Sequence, residues 1–196
     1  MVYRPPWKKI TAVVIIYVGL VLLFTLLGVV IGPESAQVGG TRPDETIPGH
    51  LAELAGFGLL LGGGSAAIYG RKGVHLIVLV PILTVSLDLD HLPAYLGYAE
   101  TIRPAHSLVF VVVAFAATAI TIKAVDLDLV VVSAFMGHIA VDTGLFAPFS
   151  PLSFQYYSLD PYRLAFAVGA ILCALAAGVV LRRGYRTVSL GGRGDV

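Results

Sequence analysis

Long apolar runs alternate with short polar segments along this chain. A helix that crosses a hydrocarbon core about 30 Å thick needs roughly 20 apolar residues. The pattern predicts six membrane-spanning helices, at residues 10–31, 51–69, 74–87, 107–122, 129–146 and 164–181. The third run is short and ends at Asp88, so we expect protein or water to shield its last residues from lipid.

The composition agrees with this pattern, because 57% of the 196 residues are hydrophobic and only 13% are charged. We therefore expect an all-α, polytopic protein of the cell membrane, with membrane lipid as its surroundings. The net charge of +1 gives no indication of nucleic-acid binding. The expected organisation is an extra transmembrane helix at 1–32, a polar outer loop at 33–49, a five-helix metal-site domain at 50–181 and a disordered cytoplasmic tail at 182–196. The sequence does not indicate an oligomeric state.

The lysines and arginines predict the orientation, because short loops rich in these residues are retained in the cytoplasm. If both termini are cytoplasmic, only Arg42, Arg103 and Arg163 lie outside. The inside segments then contain Arg4, Lys8, Lys9, Arg71, Lys72, Lys123, Arg182, Arg183, Arg186 and Arg193. This asymmetry favours six spans with both termini in the cytoplasm.

With this topology, most of the ionisable residues near the predicted spans converge on the outer face. The candidate metal ligands are His50, Asp88, Asp90, His91, His106, His138 and Asp142, and Arg103 accompanies them. His138 and Asp142 are four residues apart, so they point from one side of a helix. Uncompensated ionisable groups are costly in a bilayer, and they usually face a cavity, a partner or an ion.

Each residue alone also has a simpler interpretation. Asp88 or Asp90 could cap a short helix, and His50 could be an ordinary loop residue. Arg103 could anchor at lipid head groups or pair with Glu100. His75 begins the third predicted span at the cytoplasmic side, and we assign it to the interface. The convergence of seven ligands favours a metal site over these separate explanations.

Four ordered motifs resemble those of the YdjM-type membrane-bound metal-dependent hydrolases. They are "DLDHLP", "RPAHSLVF", "GHIAVDTGLFAPFSP" and the upstream histidine of "GHLAELAGFGLLLGGG". The resemblance covers roughly residues 50–155. The chain departs from the family pattern at Pro104 and Ala105, where Gly and Thr are usual. The resemblance implies a metal-dependent hydrolase of the membrane.

A site of imidazole and carboxylate ligands suits Zn²⁺, and also Mn²⁺ or Fe²⁺. Seven ligands exceed the three or four of one zinc site, so either two ions bind or some residues support the ligands. Such an ion lowers the pKa of a water from 15.7 to about 7. Arg103 and Asp90 are the candidate catalytic residues, since an arginine can hold a phosphate through two donors. This favours a phosphoester substrate, such as a lipid head group. The alternative is a non-catalytic metal-binding protein or a metal-ion transporter.

Overall fold

The computed structural model describes residues 6–31, 47–70, 73–95, 103–142 and 145–191. The regular secondary structure of the described chain is helical apart from one antiparallel pair of two-residue strands, β1 (Leu145–Phe146) and β2 (Tyr157–Ser158). The helices are α1 (Trp7–Ile31), α2 (Ile47–Tyr69), α3 (Val74–Ser86), α4 (Leu92–Tyr95), α5 (Leu108–Ile122), α6 (Val125–Val141) and α7 (Arg163–Gly191). Three short 3₁₀ segments, Leu87–His91, Pro104–His106 and Asp160–Tyr162, join them.

Four stretches of the described chain are long and apolar enough to cross a membrane. They are Trp7–Ile31, Gly49–Tyr69, Val74–His91 and Asp160–Arg183. The third is longer than the apolar run suggests, because the 3₁₀ segment continues α3 through both aspartates. The helix α5 is apolar but shorter, with 15 residues. The all-helical prediction is therefore confirmed, together with helices suited to a membrane.

Several helix boundaries differ from the predicted spans. The helix α6 begins at Val125, four residues before the predicted start, and its first turn contains Asp126 and Asp128. Carboxylates are favourable there because the helix dipole is positive at the N-terminus. The helix ends at Val141, so Phe146 lies in a strand and not in the predicted span. The last helix, α7, continues to Gly191, into the segment where we expected a disordered tail.

Close packing of α2 on α3 depends on glycines. A Cβ atom on Gly58 would lie 2.7 Å from the Cα of Pro81, and one on Gly62 would overlap the backbone carbonyl of Leu76. By contrast, a Cβ on Gly56 or Gly63 would meet nothing within 4 Å. The small residues thus let the two helices approach backbone to backbone, as in other membrane helix pairs.

The ends of several helices meet at one end of the bundle. The start of α2, the 3₁₀ segments Leu87–His91 and Pro104–His106, and the end of α6 lie there. The helix α1 packs on α5 and on both of these 3₁₀ segments. Together, the two 3₁₀ segments and the end of α6 contain the candidate metal ligands of the three downstream motifs.

Candidate metal centre

Asp88 lies at the centre of a cluster of aspartate and histidine side chains at this end of the bundle. Its Oδ1 is 3.5 Å from His138 Nε2 and 3.7 Å from His91 Nε2, and its Oδ2 is 3.6 Å from His50 Nε2. The residue is 9% exposed, and neither carboxylate oxygen has a hydrogen-bond partner among the described residues. Three imidazole rings therefore surround one buried carboxylate at distances too long for hydrogen bonds.

Hydrogen bonds through Nδ1 fix the ring orientations of His106 and His138. His138 Nδ1 donates to the backbone carbonyl of Thr84 at 2.8 Å, so its Nε2 presents a lone pair. His106 Nδ1 donates to Asp90 Oδ2 at 2.6 Å, which likewise leaves a lone pair on Nε2. The two Nε2 atoms are only 2.8 Å apart. Two facing lone pairs repel each other unless a proton or a metal cation lies with them.

The distances around Asp88 fit a divalent cation, whereas the 2.8 Å between the two Nε2 atoms is shorter than the separation of two zinc ligands. Ligands of a tetrahedral zinc ion, with bonds of about 2.0–2.1 Å, lie roughly 3.3 Å from one another. The separations around Asp88 are close to this value, and burying a carboxylate without a partner is costly. Aspartate and histidine atoms of this cluster form two groups that could each hold a metal ion. One is Asp88 with His106 and His138, all buried, and the other is Asp90 with His91 and His106, of which His91 is partly buried.

The hydrogen bonds favour the first of these two groups. Asp90 Oδ2 already accepts from His106, and His91 Nε2 accepts from Arg103 Nη1 at 3.0 Å. A carboxylate that binds the second nitrogen of a ligating histidine fixes its tautomer and orientation. Asp90 therefore has the geometry of a positioning residue for His106, although the sequence suggested a ligand or catalytic residue.

Arg103 points into the cluster. Its Nη2 lies 3.3 Å from Asp142 Oδ2, which is itself 3.5 Å from His106 Nε2. The arginine is about one-sixth exposed, so the alternative of a head-group anchor is not the geometry observed. The partner suggested in that alternative, Glu100, lies outside the described residues. Arg103 thus lies between His91 and Asp142, beside the candidate ligands.

Two further contacts shape the same end of the bundle and had no signal in the sequence. Arg163, at the start of α7, donates to the carbonyl oxygens of Ala140 and Val141 at 3.1 and 3.2 Å. It therefore caps the end of α6 beside Asp142. Tyr156 lies within electrostatic range of Arg103, and partial burial raises the pKa of its phenol. The segment before α7 thus lies near the arginine.

All seven predicted ligands lie in one network that spans four parts of the chain. His50 comes from α2, Asp88, Asp90 and His91 from the 3₁₀ segment after α3, His106 from the one before α5, and His138 and Asp142 from the end of α6. His75 does not join them. It lies in the first turn of α3, at the opposite end of the helix, and is 1% exposed, so it is buried in the bundle. Its position at the membrane interface stays a prediction.

No family model, curated protein or solved structure matches this chain. The resemblance to the YdjM-type hydrolases therefore rests on the motifs alone.

Proposed function

We propose that this protein is a membrane-embedded, metal-dependent hydrolase of the YdjM type. The observation that supports this best is the arrangement of His106 and His138. Their Nε2 lone pairs face each other beside Asp88, whose oxygens have no hydrogen-bond partner among the described residues. A divalent cation beside the two nitrogens would remove the repulsion between their lone pairs, and the Asp88 carboxylate would balance its charge.

His106, His138 and Asp88 would hold the first ion. His50 and Asp142 are close enough to complete its shell or to bind a second ion. Zinc suits this mixed set best, and manganese or iron could replace it. When bound, such an ion supplies a water that is nucleophilic near neutral pH.

The substrate we propose is a phosphoester, such as a lipid head group. Arg103 is a cationic side chain that lies against the ligand cluster, with donors 3.0 and 3.3 Å from His91 and Asp142. A planar guanidinium can hold two oxygens of an anion at once. Asp90 keeps the imidazole of His106 in the tautomer that leaves Nε2 unprotonated.

We further propose six spans with both termini cytoplasmic and the site at the outer face. The charge asymmetry supports this orientation. The helices α5 and α6 are the two short spans in this arrangement, with 15 and 17 residues. Short spans are compatible with a bilayer when polar residues at their ends are shielded by protein.

The alternative functions use the same ligands without hydrolysis. A transporter needs a polar path to the opposite end of the bundle, where Asp128 and His75 are buried. Asp128 lies ten residues before His138 on α6, which is about 15 Å along a helix. Among the described residues, no buried carboxylate or imidazole lies between the two ends, and Leu83, Phe110 and Phe135 are fully buried there. This packing favours the hydrolase over the transporter.

Metal analysis of the detergent-purified protein tests the proposal. We expect Asp88→Asn to lose most of the bound metal, because it removes the central charge while keeping the shape. Asp128→Asn is the matched control, since it neutralises a similarly buried carboxylate at the opposite end, and it should retain the metal. Wild-type protein that binds no divalent ion, or equal loss from both variants, would contradict the proposed site.

Hydrolysis itself needs a second measurement on the metal-loaded wild-type protein. A panel of phosphomonoesters, phosphodiesters and phospholipids should reveal at least one substrate, and Asp88→Asn should not hydrolyse it. Stable metal binding with no hydrolysis of any member would instead favour the non-catalytic metal-binding protein.

A further inference from the structure

The first helix, α1, has one buried stripe that faces the metal centre. Its buried side chains include Ile10, Val13, Tyr17, Val21 and Phe24, which recur every three or four residues. The stripe packs on α5 and on the 3₁₀ segments that contain Asp90 and His106. This helix lies outside the four motifs, so nothing in the proposed function requires it to take part in the site.

Tyr17 is the unusual member of this stripe. Its side chain is completely buried, and its hydroxyl has no hydrogen-bond partner among the described residues. The ring packs edge-on against Phe110 with centroids 5.4 Å apart, a contact that phenylalanine could make equally well. Thr25, the other polar side chain of the stripe, donates to the carbonyl of Val21 at 2.8 Å. The unpaired Tyr17 hydroxyl therefore has a cost that packing does not explain.

The missing acceptor lies nearby. Asp90 is buried, its Oδ2 accepts from His106, and its Oδ1 has no hydrogen-bond partner among the described residues. Tyr17 lies within electrostatic range of Asp90. An unpaired buried donor and an unpaired buried acceptor thus occur in the same part of the interior. The helix α1 packs on the 3₁₀ segment that contains Asp90, so the two groups belong to the same packed interface.

We propose that the Tyr17 hydroxyl donates to Asp90 Oδ1, directly or through one water, and that α1 thereby positions the metal ligand His106. With both oxygens engaged, the Asp90 carboxylate cannot turn away from the imidazole. This inference rests on the proposed function only in treating His106 as a ligand.

Binding of Co²⁺ to the purified full-length protein tests whether Tyr17 influences the metal site. Outer partners of ligating histidines typically change metal affinity by 10–100-fold, so we expect Tyr17→Phe to weaken Co²⁺ binding by about tenfold and to alter the visible absorption of the bound ion. In an Asp90→Ala background, Tyr17→Phe should have little further effect. Unchanged affinity and absorption in Tyr17→Phe would overturn the proposal, whether or not Asp90→Ala folds.

Two control variants separate positioning from packing. Val21→Ala removes buried volume from the same stripe one turn away and leaves the Tyr17 hydroxyl intact, so it should lower thermal stability but preserve the absorption of bound Co²⁺. Tyr157→Phe removes a hydroxyl from an exposed tyrosine and should change neither. If Val21→Ala reproduces the change in absorption seen with Tyr17→Phe, the effect is one of packing and the proposal is wrong.

A second experiment, carried out without metal, tests the Tyr17–Asp90 hydrogen bond independently of the proposed function. The thermal stabilities of Tyr17→Phe, Asp90→Ala and the double variant, measured with chelator present, form a double-mutant cycle. We expect non-additive effects, because either single change removes the same hydrogen bond. Additive effects would overturn the Tyr17–Asp90 link. Non-additive effects in a protein that binds no metal would support the link and contradict the metal site.

Discussion

At the scale of single residues, two aspartates of one short segment have different surroundings. Asp88 lies among three imidazole nitrogens and its oxygens lack hydrogen-bond partners among the described residues. Asp90, two residues later, accepts a hydrogen bond from His106 Nδ1. A 3₁₀ helix has three residues per turn, so residues two apart point in different directions. The local geometry therefore assigns one aspartate to the centre of the cluster and the other to its support.

Arg103 allows a direct test of the proposed mechanism at this scale. We expect Arg103→Lys to keep the bound metal but to lower turnover by about a hundredfold, because an ammonium cannot reproduce the planar two-donor fork. Metal content and the rate on the active phosphoester are both measured. Asp142→Asn should differ by weakening metal binding itself. Full turnover in Arg103→Lys would show that the arginine does not orient the substrate.

At the scale of elements, the site depends on how closely α2 and α3 pack. His50 begins α2, and the Asp88 segment follows α3, so the contact between the two helices sets the distance between these side chains. The glycines of α2 permit that contact, since Gly58 and Gly62 have no space for a Cβ. The glycine-rich run is thus a packing surface that holds two parts of the site together.

A pair of adjacent glycines tests this role. Gly62→Ala places a methyl group against the backbone of Leu76, and overpacking of this kind typically costs about 1–3 kcal/mol. Gly63→Ala meets nothing within 4 Å and should be neutral or stabilising by up to about 1 kcal/mol, through helix propensity. Thermal unfolding in one detergent compares them. Equal stability of the two variants would contradict the close approach.

At the scale of the whole molecule, the helix ends place all the candidate ligands at one end of an antiparallel bundle. Asp128 and His75 lie at the opposite end. If the membrane contains this bundle, the two ends face different compartments, and the orientation decides which compartment the site meets. The charge asymmetry predicts that the site meets the outer one.

Cysteine labelling in intact cells tests the orientation. After replacement of Cys173, we expect an impermeant reagent to label Leu152→Cys from outside, because Leu152 is exposed in the segment between α6 and α7. Lys123→Cys, exposed between α5 and α6, should react only after the cells are opened. Labelling of position 123 in intact cells would reverse the proposed topology.

The sequence by itself determined the helical fold and the identity of the candidate residues. Apolar runs of this length form helices in a bilayer because unpaired backbone groups are costly there, and aspartate or histidine beside such runs is rare enough to be noticed. The i, i+4 spacing of His138 and Asp142 is a local property of one helix. Such features follow from neighbouring residues and need no knowledge of the rest of the chain.

The tertiary structure decided which residues face each other. Asp90 and His106 are 16 residues apart, and His138 and Thr84 are 54 apart. No local pattern shows that a backbone carbonyl of α3 fixes a histidine of α6, that Arg163 caps α6, or that α1 packs on the 3₁₀ segment that contains Asp90. These contacts depend on how separate helices pack, because each is made by atoms that only the folded bundle brings within a few ångströms.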